Sequence, residues 1–77
     1  MTAEPTTPKE VWALIERADE LIKYASNRDQ QTAFAQARST LERAIAAAKA
    51  VTGAGALEQQ ARTRLEDLAR LEQGAGA

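Results

Sequence analysis

The sequence contains no cysteine and no histidine. The first absence excludes disulfides and thiolate chemistry, and the two together remove zinc sites of the usual kind and the commonest general base. Glycine and proline are scarce, four and two residues, and fall in the first eight positions, one mid-chain break and the last few residues. Two long stretches therefore carry no helix breaker. No apolar run approaches the roughly 20 residues that a membrane span requires. Met1 to Glu10 is polar and has no basic stretch leading into an apolar one, which predicts no secretory signal and a cytoplasmic protein. Charge of one sign is lacking too: ten basic and eleven acidic side chains leave a net charge of −1. Such a balance gives no overall attraction to DNA, RNA or an anionic membrane, so nucleic acid and membrane are not expected partners.

Catalytic groups are equally sparse. Ser26 and Ser39 have no histidine to activate them, and no glycine-rich phosphate loop is present. A chain this short has little room for a pocket of ligand size, commonly about 300 to 1,000 Å³. The expectation is a protein that is not an enzyme and that carries no cofactor and no metal.

What is present is helical. The 77 residues suffice for one domain, and a domain of that size buries only about 60% of the surface its unfolded chain exposes. Much of the 44% hydrophobic content is alanine, which favours helix and adds little buried area. Residues 1–6 read as a disordered lead-in. Thr7 as N-cap, Pro8 at the first helical position and Glu10 three residues after the cap form a capping-box signature. Val11, Leu14, Ile15, Ala18, Leu21, Ile22 and Ala25 then recur at three-and-four spacing, predicting a helix over about 8–26. Ser26 to Asp29 is punctuation, with Asn27 or Asp29 able to cap a second helix. That helix is predicted over about 28–51, its stripe formed by Ala33, Phe34, Ala37, Leu41, Ala44, Ile45, Ala48 and Val51. Gly53 suits the left-handed position that ends a helix. A third helix is predicted over about 56–73, with Leu57, Ala61, Leu65, Leu68 and Leu71 facing inward, and residues 74–77 are expected to fray. Three amphipathic helices with short loops predict an all-α, antiparallel three-helix bundle spanning residues 7–73 as a single domain, with a more open, hairpin-like arrangement as the alternative. The glycine break could also straighten in a domain-swapped oligomer.

Ala37-x-x-x-Leu41-x-x-Ala44-Ile45 resembles the second helix of a tetratricopeptide-type hairpin, where small residues let paired helices approach closely. Asp29-x-x-x-Ala33 resembles the turn that leads into that helix. The turn falls four residues too early for the helix pattern, Trp12 is followed by Ile15 and Glu16 instead of the family's leucine and glycine, and the closing proline is missing. The resemblance covers about residues 21–48. It implies a protein-binding scaffold, of which one repeat does not normally stand alone.

Several residues stand out as candidate contacts. At about 100° per residue, Trp12 flanks one edge of the first helix's apolar arc and Tyr24 the other. Both rings are expected to fold over the rim of the core, the alternative being that one anchors a partner. Ala35, Ala46, Ala47 and Ala50 lie away from the main stripe of the second helix, either as plain helix formers on a solvated face or as a self-association face. Arg64 lies within the third helix's apolar arc, where the stem of an arginine usually covers the core edge. The alternative makes it an ion-pair donor to another subunit or partner, with Glu16, Asp19 and Glu20 the nearest acidic cluster. Together these features predict a small protein-interaction module, an adaptor or accessory subunit, that associates with a protein partner or as a homodimer. A bundle whose apolar core holds a small molecule is the alternative.

Overall fold

The computed structural model describes residues 7–25 and 30–76. Helix α1 (Pro8–Lys23) starts where the sequence predicts. Thr7 is extended, its hydroxyl accepts the Glu10 N–H at 3.2 Å, and the same hydroxyl donates to the Glu10 carboxylate at 3.0 Å. The first turn thus has side-chain support for backbone donors that no carbonyl of the helix can reach. The helix closes short of the expected Ser26. The Tyr24 N–H still bonds the Glu20 carbonyl, but the Ala25 N–H turns to Ile22 at 3.3 Å, a tighter i to i+3 bond that ends regular winding. The proposed caps Asn27 and Asp29, like the lead-in 1–6, lie outside the described residues.

Helix α2 (Gln30–Ala50) ends through Val51, whose N–H bonds the Ala48 carbonyl at 3.3 Å. Gly53 then takes φ +86°, the left-handed conformation expected of it, which a side chain would strain. Helix α3 (Gly55–Gly76) follows at once, with the Ala54 carbonyl accepting from the Glu58 N–H at 3.0 Å. It starts one residue earlier than predicted and runs past Gln73 to Gly76. A Cβ at Gly74 would meet nothing within 4 Å. A glycine there costs helix about 1 kcal/mol, too little to end it.

The result is the predicted all-α three-helix bundle. Its core joins Val11, Ile15 and Ala18 of α1 to Phe34, Ala37, Leu41, Ala44, Ala47 and Ala48 of α2, then to Val51, Ala54, Ala61 and Leu68. Ala47 is a correction: expected off the stripe, it is 7% exposed. The reason is that α2 is the middle helix and is covered by α1 and α3 on two sides, so its buried arc is wider than one neighbour would make it. By contrast α1 and α3 touch little. Three helices closed into a triangle at 8–10 Å spacing would have a Cα cross-section of about 13–15 Å in both directions. The molecule measures 40 × 26 × 15 Å, wider than that triangle in one direction, and α2 lies between the two outer helices.

Candidate interaction site

The narrow contact between α1 and α3 includes three side chains that the sequence places on facing edges. Trp12 and Asp19 are seven residues apart, which at 100° per residue returns the helix to within about 20° of the same direction. Both therefore line one edge of α1. Arg64 reaches this edge from α3: its Nε donates to both Asp19 oxygens, at 2.9 and 3.0 Å, and its guanidinium carbon lies 5.6 Å from the centroid of the Trp12 ring. The arginine is thus held between a carboxylate and a π-face, two attractions of about 1 kcal/mol or less when partly solvated. The side chains are 28% exposed for Arg64 and 46% for Asp19, so water weakens the pair. Longer contacts from Nη1 to the Gln60 carbonyl and side-chain oxygen, 3.4 and 3.5 Å, point the guanidinium along α3. Of the acidic cluster on α1, Asp19 is thus the member that meets Arg64, and it does so within the chain. Trp12 packs against the core, the rim position expected of it.

On the opposite edge of α3, Glu72 pairs with Arg38 of α2. Sequence reasoning passed over this pair. Its signal was angular, because Glu72 stands four residues after Leu68 and hence beside the buried stripe, where a carboxylate needs a cation. The two arginine–carboxylate pairs bracket α3, one toward each neighbouring helix.

Tyr24 does not fold over the core rim; it is 74% exposed. Nine residues separate it from buried Ile15, which is about 180° around the helix, so the ring starts on the far side. Its neighbour Lys23 places Nζ 5.4 Å from the ring centroid. Leu71 is a further correction, 47% exposed where an inward position was expected. It shares an edge with Arg64, seven residues earlier. Arg64 meets Asp19 four residues before the end of α1, and Leu71 lies a further seven residues along α3, about 10 Å at 1.5 Å per residue.

Beside Leu71 is an open hollow of about 580 Å³, lined by Gln30, Asp67, Arg70, Leu71 and Gly74. Arg70 and Asp67 pair across one turn at 3.2 Å. Ala35, Ala46 and Ala50 are all exposed along the back of α2. The nearby Glu42 and Arg43 are exposed as well. Among the described residues, no group of three or more acidic, cysteine or histidine side chains could hold a metal ion, and no helix is long and apolar enough to cross a membrane. Compared with protein-family models, curated proteins and solved structures, the chain matches none.

Proposed function

We propose that this chain is a small helical protein-interaction module, an adaptor or accessory subunit, that associates with further copies of itself through helix faces. One observation carries the proposal. Of the leucines, only Leu41 and Leu68 are buried; Leu14, Leu21, Leu57 and Leu65 are half-buried and Leu71 is exposed. A domain this short is poorly supplied with core, and here it leaves much of its best apolar material partly wet. Added cover from another chain would bury area worth about 25 cal/mol per Å². The surfaces available for such cover are the Leu71 edge of α3, Tyr24 and the alanine-bearing back of α2. Trp12 and Arg64 have internal partners, and their part is to set the angle between α1 and α3. The tetratricopeptide-like spacing in α2 fits the same use.

Sedimentation equilibrium at micromolar concentration tests the self-association. A reversible dimer is expected, and a clean monomer of 8.3 kDa at all concentrations would remove that part of the proposal. A bundle that carries a small apolar molecule would need an enclosed cavity. The hollow at Leu71 is open and rimmed by a charged pair.

A further inference from the structure

We infer that α3 is an exchangeable element: the groove that α1 and α2 offer it can be filled by α3 of a second copy, giving a reciprocal dimer. The inference rests on the self-association proposed above and names its route. The occupant is read from the structure itself, since α3 is the helix already seated in that groove and an identical helix from another chain makes the same contacts.

Three observations converge. The first is how α3 is held. It contributes two buried side chains within the helix, Ala61 and Leu68, besides the half-buried Leu57 and Leu65. Its lateral attachments are the pairs Arg64 with Asp19 and Arg38 with Glu72, whose side chains are partly exposed, so that water weakens them. The second is the joint. Only residues 51–54 separate α2 from α3, and Gly53 is the only described residue with positive φ. Its return to helical φ would let α2 and α3 run on as one helix, about 70 Å long at 1.5 Å per residue. That length carries α3 clear of its own hairpin and onto another. The third is the weak contact of α3 with α1, so that leaving the groove disrupts one broad interface, with α2, and a narrow one.

The pair Arg64 and Asp19 supplies a direct test, because it joins the exchanging helix to the stationary hairpin. Asp19→Arg and Arg64→Asp each place like charges across the contact, and the double variant Asp19→Arg/Arg64→Asp restores attraction within one chain. When the two single variants are unfolded together in urea and refolded, opposite charges meet only if α3 of each packs on the hairpin of the other. Native mass spectrometry of the mixture is then expected to show a one-to-one heterodimer, at twice the mass of the 8.3 kDa chain, in at least about tenfold excess over either homodimer. The double variant should recover the monomer–dimer balance of the original chain, which shows that the substitutions are tolerated when paired.

Two separate variants with no heterodimer would overturn the exchange. Dimers formed alike by the original chain, each variant and the mixture would also overturn it while leaving association through helix faces intact; monomers in every sample would remove both. A second variant acts on the joint alone. Gly53→Ala strains the left-handed turn without a steric clash, since a Cβ there meets nothing within 4 Å. It should tighten dimerisation roughly tenfold by penalising the bent monomer. Unchanged or weaker dimerisation in that variant would count against a straightened joint.

Discussion

Leu41 and Leu71 occupy equivalent places in the sequence pattern, each on the apolar stripe of a long helix, and they make a matched pair for measurement. Leu41 is fully buried in the middle helix, with Ala37, Ala44 and Ala48 around it on the same face. Truncation to alanine removes the transfer energy of the lost carbons and leaves a cavity, together about 2–5 kcal/mol. The loss should lie above the low end of that range, at about 3 kcal/mol or more. Alanine neighbours have no side-chain atoms with which to reach into the void, so the site relaxes little. For 77 residues total stability should be roughly 4–12 kcal/mol, so a loss of about 3 kcal/mol is a large share of it. It corresponds to a fall in Tm of roughly 12–24 °C, at 4–8 °C per kcal/mol in a domain of this size. Leu71→Ala, with the side chain 47% exposed, should change stability by no more than about 1 kcal/mol when the chain is monomeric. Urea titration followed by far-UV circular dichroism, at a concentration below dimerisation, reads both. If Leu41→Ala lost less than about 1 kcal/mol, or if the two substitutions cost the same, the central placement of α2 would be wrong.

Other predictions concern the edges and ends of the helices. A double-mutant cycle on Asp19 and Arg64 should return a coupling of about 0.2–1 kcal/mol that falls as salt rises from 0.05 to about 1 M; a salt-independent coupling above that range would mean a drier contact than the one described. Thr7→Ala should cost about 1 kcal/mol through loss of the bond to the Glu10 N–H. Faster amide hydrogen exchange should be confined to the start of α1, and even exchange throughout would refute the capping role. Ala46→Arg with Ala50→Arg, both on exposed positions, should leave unfolding free energy within about 0.5 kcal/mol per site. A dimer made by α3 exchange survives that pair of changes in sedimentation, whereas one built on the back of α2 is lost.

Helix identity was legible because its signals are local. The cap at Thr7, the left-handed Gly53 and the three-and-four spacing of apolar residues each act within a few positions of themselves, and the structure realises all three. The helix ends were less legible. Lys23 rather than Ser26 closes α1, and α3 runs on to Gly76, because a terminus is decided by small differences between competing hydrogen bonds. Burial on the stripes divided along a physical line. Periodicity reports the angle at which a residue leaves its helix, but whether anything stands at that angle depends on where the neighbouring helices begin and end. Leu68 and Leu71 lie only about 60° apart on α3; one is buried and the other is not. Ala47 is the converse case, an off-stripe position covered because α2 has neighbours on both sides.

The same argument explains why Arg64 could be placed from the sequence while its partner could not. Its angle puts it on the edge of the apolar arc, and an arginine there must either reach water along the core edge or find an anion. Glu16, Asp19 and Glu20 were all within the candidate cluster. Only Asp19 shares an edge with Trp12, and so a single approach of α3 can serve both the carboxylate and the ring. Glu16 and Glu20 leave α1 about 60° and 100° further round from Asp19, away from that approach, and both are exposed. The selectivity of this contact is therefore a property of helix phase. With the charge at position 19 removed and that at position 20 retained, as in Asp19→Asn, the remaining acids should fail to hold Arg64 although net charge near α1 changes by only one unit. In that variant the Trp12 fluorescence should report loosening of α3, and an unaltered emission spectrum and melting curve would show that any acid on this stretch of α1 suffices.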